Sequence, residues 1–156
     1  DSDECQSKFT PSVCNSVGNR HVRGDDFGPR VYDDLTAQPS PSSVDLIDGG
    51  LAGLDLLRYL EDSRRVLFVD TVDGFGAPGE IIVLSGAEVA DQCAGGFDHA
   101  AGLPYVLRVM PQVLDSPPPT VTVIGHEGEA NAQAVRFAAQ LALRLALETH
   151  ENVHLP

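Results

Sequence analysis

Apolar residues along the chain occur in two patterns, short continuous runs and stretches with helical spacing. The short runs predict strands, because such runs are typical of a sheet that is covered on both faces. The predicted strands are residues 12–17, 44–47, 66–69, 80–84 and 121–124. The stretches with apolar positions three or four apart predict helices at residues 29–36, 51–62, 103–109 and 130–149. The strand at 12–17 is the weakest prediction, since Asn15 and Ser16 are polar.

Alternation of strands and helices predicts an α/β fold, a three-layer domain with a mostly parallel sheet of about five strands and helices on both faces. A glycine-rich turn without a helix precedes residues 80–84, so this strand is expected to run antiparallel to its neighbour. We expect a single domain over residues 12–150, between a polar arm at 1–11 and a short tail at 151–156. The last helix has a narrow polar stripe, which indicates deep burial or a subunit contact and leaves the oligomeric state open.

Charge and cysteine content narrow the class of protein. A formal charge of -13 disfavours nucleic acid and anionic membranes as partners, because a phosphate backbone requires clustered Lys and Arg. No apolar run is long enough to insert into a membrane. Three cysteines without CxxC spacing, and no segment of signal-peptide type, favour a reduced cytoplasmic setting, although a Cys5–Cys14 disulfide is compatible with the sequence.

Acidic residues follow several of the predicted strands. Asp25 and Asp26 lie in a glycine-rich loop after the first strand, and Asp48 and Asp70 end the next two. His99 lies in a loop before a predicted helix. Ligands of open α/β sheets bind outside the carboxyl ends of the strands, so these side chains should share one edge. Carboxylates with an imidazole suit nickel, zinc or iron(II) better than copper(I). Each acid could instead form a turn or cap a helix.

The chain after the last predicted strand is expected to lie at the same edge of the sheet. We expect residues 125–129 to form a loop, with His126 as a surface residue and Glu127 without a role. Cys93 is expected to be a small buried or partly exposed thiol rather than a nucleophile, because no His or cation is visibly paired with it.

Several short motifs occur in a fixed order between about residues 17 and 110. They are Gly18-Asn19, Gly24-Asp25-Asp26, Gly28-Pro29, Ile47-Asp-Gly-Gly-Leu-Ala-Gly53, Phe68-Val-Asp-Thr-Val-Asp73, Ala77-Pro-Gly79 and Asp98-His-Ala-Ala-Gly-Leu103. Together they resemble the maturation endopeptidases of nickel-iron hydrogenases. The resemblance implies that Asp25, Asp70 and His99 bind nickel. Aligning the flanking glycines without a gap favours Asp25, a local shift would favour Asp26, and Asp48 is a neighbour or alternative ligand.

The resemblance also implies a function. The expected activity is removal of a C-terminal extension from the hydrogenase large-subunit precursor, with the nickel of the substrate as recognition element and no tightly bound cofactor of the enzyme's own. No residue is assigned to the activation of water. Two alternatives are a non-catalytic metal-binding chaperone for the same subunit and a flavodoxin-like nucleotide-binding module. The second is weaker because the first loop carries acids where a phosphate would need bare backbone amides.

Overall fold

Strands and helices alternate in the computed structural model, which describes residues 12–39, 41, 43–50, 57–60, 65–92, 103–115 and 119–152. The strands are β1 (Ser12–Val17), β2 (Val44–Gly50), β3 (Arg65–Val72), β4 (Ile81–Ser85) and β5 (Thr120–Glu127). The helices are α1 (Phe27–Thr36), α2 (Leu57–Leu60), α3 (Gly86–Gln92), α4 (Leu103–Val113) and α5 (Ala132–Asn152). None of these helices has the length and hydropathy of a membrane span.

The five strands form one sheet in the order β2-β1-β3-β5-β4. Strand β1 pairs in parallel with both β2 and β3, and β3 pairs in parallel with β5. Strand β4 is antiparallel to β5. The predicted mostly parallel sheet, and the reversed direction of its fourth strand, are therefore confirmed.

The polar strand β1 lies inside the sheet, with a neighbour on each side. Asn15 and Ser16 are buried there, between β2 and β3. The ladders to both neighbours satisfy the backbone of β1, which explains why a polar sequence still forms a strand. Within the described residues, neither amide atom of the Asn15 side chain has a hydrogen-bond partner.

Two apolar clusters, one on each face of the sheet, give the domain its three layers. Alternate residues of β3 point to opposite faces, as the strand period of two requires. Phe68 belongs to the cluster under α2, α3 and α4, whereas Val69 belongs to the cluster under α1 and α5. The second cluster includes Phe27 and Val31 of α1 and Ala138 of α5. The predicted three-layer α/β architecture is confirmed.

Helix α3 is not among the helices that the apolar spacing predicts. Its start forms a reciprocal cap: the Ser85 N–H donates to Glu88 Oε1 at 2.8 Å and the Glu88 N–H donates to Ser85 Oγ at 3.1 Å. A Ser followed three residues later by Glu is the sequence signal of such a cap. In this sequence the signal lies directly after the predicted strand at residues 80–84.

Other boundaries shift by a few residues. Helix α1 begins at Phe27 rather than Pro29, α4 continues through Pro111 to Val113, and α5 ends at Asn152. Of the helix predicted at residues 51–62, only the part that forms α2 is described. In the part of α5 whose side chains are described, residues 132–147, the buried positions lie on one stripe, and Phe137 on the other side is 54% exposed.

Candidate functional site

The strand order reverses between β1 and β3, which makes this pair of strands the topological switch point of the sheet. Strand β1 leads through α1 to β2 on one side, whereas β5 lies beyond β3 on the other side. In open α/β sheets the ligand crevice forms at the carboxyl ends of the strands beside such a point. Asp25 and Asp26 lie in the loop that follows β1, and Asp70 lies near the carboxyl end of β3. The fold thus brings together acids that are far apart in the sequence.

The loop after β1, residues 18–26, folds back over the end of its own strand. The Asn19 N–H donates to the carbonyl oxygen of Asp25 at 3.0 Å and lies 3.2 Å from Asp25 Oδ2. Gly18 has a φ of 145°, and a Cβ at this position would collide with the carbonyl oxygen of Asp25. Because Gly18 has no side chain, the backbone of Asp25 can lie against the end of β1.

Asp25 and Asp70 lie close enough to interact electrostatically. Loss of hydration is the main effect that raises the pKa of the Asp70 carboxyl well above its ordinary value, and the charge of Asp25 adds to it. A hydrogen bond from the backbone amide of Thr71 lowers the pKa and opposes both effects. Among the described residues, neither carboxylate forms an ion pair with a cationic side chain. A cation placed here would favour the charged form of Asp70.

Asp26 immediately precedes α1 but does not cap it through its side chain. Its backbone carbonyl accepts a hydrogen bond from the Arg30 N–H at 3.0 Å. Its charge acts on Arg23, which forms an ion pair with Glu129. Of the two neighbouring acids, Asp25 is the one whose charge acts on Asp70, and this favours Asp25 over Asp26 as the partner of that residue.

Asp48 is engaged by an arginine of the same loop. Arg20 Nη2 donates to Asp48 Oδ2 at 3.0 Å, and Arg20 Nη1 donates to Asp33 Oδ2 on α1 at 3.1 Å. The other carboxylate oxygen of Asp48 accepts the Gly50 N–H at 3.2 Å. Asp48 is therefore linked to the loop 18–26 through Arg20, and its role as a neighbour or alternative ligand of the metal stays a prediction.

Replacement of Arg20 by glutamine is expected to loosen this loop with little change in the melting temperature, because the ion pairs of Arg20 are exposed to solvent. We expect faster hydrogen exchange of the Val22 and Asp25 amides, whose hydrogen bonds close the loop. Arg108→Gln, at an exposed position of α4, is the matched control. Unchanged exchange in Arg20→Gln would show that the backbone bonds of the loop suffice to hold it.

The expectation of a loop was wrong for residues 125–127 and is confirmed for residues 128 and 129. Strand β5 extends to Glu127, because β3 pairs with it as far as Val72 and β4 pairs with it from Ile81. His126 is buried, with its ring centroid 5.1 Å from that of Phe27 and its Nδ1 3.0 Å from the carbonyl oxygen of Gly128. Glu127 is also buried, and its carboxylate accepts backbone amides of the chain between β3 and β4. Residues 125–127 offered no such signal in the sequence, since their burial results from pairing with two distant strands.

His99 and Cys93 lie outside the described residues. In the ranges that the structure covers, no three His, Cys, Asp or Glu side chains come together as a possible metal site. Full ligation by Asp25, Asp70 and His99 therefore stays a prediction. Cys14 is a free thiol, and burial raises its pKa to about 12, so it is not a nucleophile at neutral pH.

A cavity of about 430 Å³ opens at the opposite edge of the sheet. It lies between α3, α4 and the start of β5, and its lining includes Ser85, Asp91, Arg108 and Val121. The candidate site residues Asp25, Asp26, Asp48 and Asp70 do not line this cavity. The chemistry of the carboxyl edge and this cavity are therefore separate features of the domain.

Comparison with known proteins gives consistent matches. The HycI family model, described as hydrogenase maturation protease, matches residues 29–153. The hydrogenase expression/formation protein HupD from Bradyrhizobium diazoefficiens is 31% identical over 74 residues, which are 47% of this chain and 38% of HupD. The chain therefore aligns with less than half the length of this relative.

Solved structures share the fold along nearly the whole chain. The hydrogenase maturating endopeptidase HybD from E. coli has a TM-score of 0.70 at 22% identity, over 92% of this chain and 94% of HybD. A hydrogenase 2 maturation peptidase from a Thaumarchaeota archaeon has a TM-score of 0.55 at 30% identity, over 90% of this chain and 98% of that one.

Proposed function

Because the chain belongs to the hydrogenase maturation protease family, we propose that it is a cytoplasmic endopeptidase that removes the C-terminal extension of a nickel-iron hydrogenase large-subunit precursor. The observation that carries this proposal is that Asp25 and Asp70 lie close enough to interact electrostatically, at the carboxyl ends of the neighbouring strands β1 and β3. Asp25 lies in the loop after β1 and Asp70 lies in β3, and both belong to the motifs that resemble the family.

The nickel in this proposal belongs to the substrate. The Asp70 carboxylate has lost much of its hydration and lies beside a second negative charge. Arrival of a cation would relieve both penalties, so a nickel-loaded precursor should bind more tightly than a metal-free one. Asp25 and Asp70 are the proposed ligands on this side, and His99 is the proposed third ligand. No cofactor of the enzyme's own is needed for this recognition.

Intact-mass analysis of the nickel-loaded precursor, before and after incubation with the protein, tests the proposal. We expect a product that is lighter by one C-terminal peptide. An unchanged mass together with a stable complex would favour the metal-binding chaperone instead. The metal-free precursor is the control: we expect it to stay intact, and equal cleavage of both forms would contradict recognition through nickel while leaving the endopeptidase in place.

A further inference from the structure

The chain between β3 and β4, residues 73–80, crosses the carboxyl end of β5. This follows from the strand order, because β5 lies between β3 and β4 in the sheet. We name this segment the β3–β4 strap. It starts three residues after Asp70 in the sequence.

The side chain of Glu127, the last residue of β5, holds the start of the strap through hydrogen bonds. Its Oε2 accepts the N–H groups of Phe75 at 2.6 Å and Gly76 at 3.0 Å, and its Oε1 lies 3.3 Å from the Gly74 nitrogen. The Glu127 residue is only 5% exposed. Hydrogen bonds from backbone amides to a buried carboxylate are stronger than those between neutral groups, and they satisfy a charge that would otherwise be costly to bury.

The backbone of Glu127 also joins the strap. The Gly79 N–H donates to the Glu127 carbonyl at 2.9 Å, and the Glu127 N–H donates to the Glu80 carbonyl at 3.0 Å. One residue therefore holds the start of the strap through its side chain and the end through its main chain. The side chain is the element that a substitution can remove without disturbing the β-ladder.

The strap reaches the face of the sheet that carries the Asp70 side chain. Phe75 packs against the same apolar cluster as Phe68, which lies two residues before Asp70 and so points to the same face. The strap therefore forms a border of the sheet edge at which β3, with Asp70 near its end, and β5 both end. Movement of the amides of residues 74–76 would change the shape of that border while leaving Asp25 and the loop 18–26 in place.

We propose that Glu127 is a positioning residue that fixes the β3–β4 strap as one wall of the site, so that the precursor's peptide is bound in a single orientation beside Asp70. This inference rests on the proposed function. Glu127 touches the strap rather than either acid at the crevice. Its loss should therefore weaken binding of the precursor more than it slows cleavage of the bound precursor.

Two variants separate this role from simple stabilisation. Glu127→Gln keeps the size of the side chain but has one acceptor oxygen and an NH₂ group that repels amide donors, whereas Glu127→Ala leaves three amides unpaired. Asp115→Asn removes a charge at an exposed position near the opposite edge of the sheet and is the control. Thermal unfolding shows whether each variant is folded.

Amide exchange of residues 74–76 is the first measurement, since it does not depend on activity. We expect exchange to rise roughly tenfold in Glu127→Ala, by less in Glu127→Gln, and not at all in the control. With the nickel-loaded precursor, we expect KM to rise about five- to tenfold in Glu127→Ala with kcat within about twofold, and Glu127→Gln to lie between Glu127→Ala and the wild type.

The outcomes are distinguishable. Unchanged exchange at residues 74–76 would overturn the claim that Glu127 holds the strap. Faster exchange with an unchanged KM would overturn the positioning role. Absence of cleavage by the wild-type protein would contradict the proposed function, while the exchange data would still decide whether Glu127 orders the strap.

Discussion

Replacement of Asp70 by asparagine is expected to stabilise the free protein at neutral pH and to abolish processing of the nickel-loaded precursor. The pKa of Asp70 is higher in the folded protein than in the unfolded chain, chiefly because of lost hydration. Its ionised form is therefore disfavoured by folding, and the neutral amide removes that penalty. The same substitution removes a negative charge from the proposed nickel site, so processing should fall on the order of 100-fold or more.

The stability that Asp70→Asn gains over the wild type should depend on pH. The carboxyl has an ordinary pKa of 3.8, and below that value both states are protonated, so the variant gains nothing. The contribution of Asp70 to the stability of the wild-type protein falls as the pH rises from 3.8 through the raised folded-state pKa, and the advantage of the variant grows over the same window. The difference in melting temperature between the variant and the wild type, measured at acidic and at neutral pH, reports this advantage. A shift of about 2–4 °C corresponds to each kcal/mol.

Asp45→Asn, at an exposed position of β2, is the control for loss of one charge. We expect it to process normally and to show no such pH-dependent gain. Lower stability of Asp70→Asn than of the wild type at neutral pH would contradict the penalty, and retained processing would exclude Asp70 from the site.

His99→Ala is expected to abolish processing with the fold intact, and cleavage by that variant would exclude His99.

Replacement of Gly28 by alanine is expected to lower the stability by about 3 kcal/mol or more and the melting temperature by roughly 10 °C. Gly28 lies in the first turn of α1, where helix propensity alone would favour alanine. A Cβ there would lie 2.7 Å from both the Val17 nitrogen and the Val69 carbonyl oxygen, and closer still to the Val17 carbonyl oxygen. Since these are backbone atoms of β1 and β3, the helix must move away from the sheet.

Gly128→Ala separates this collision from the ordinary cost of replacing a glycine. Gly128 has a φ of 78°, but a Cβ would meet nothing within 4 Å, so we expect a loss of only about 1 kcal/mol. Thermal or denaturant unfolding of both variants gives the comparison. Equal losses would contradict the close approach of α1 to β1 and β3. Because Asp25 and Asp26 lie just before α1, Gly28→Ala should also reduce processing.

Much of the fold could be predicted from local pattern. The continuous apolar run before Asp70 identified β3, and the short glycine-rich turn after it identified β4 as antiparallel. Helix α3 was missed although its Ser85–Glu88 cap was visible in the sequence. The end of β5 was missed because residues 125–127 look like a loop until β3 and β4 are paired on either side of them.

Local sequence patterns suffice to predict the α/β layering, the parallel sheet and the acids at strand ends, because strand and helix periods and glycine turns act over a few residues. Three other features require the folded chain: the charge of Asp25 acts on Asp70, Arg20 binds Asp48, and Glu127 holds the β3–β4 strap. Each of these depends on strand order, which places together residues that are tens of positions apart. Partial burial then changes the chemistry, since the charge on Asp70 becomes costly when the fold takes away part of its hydration and places Asp25 nearby.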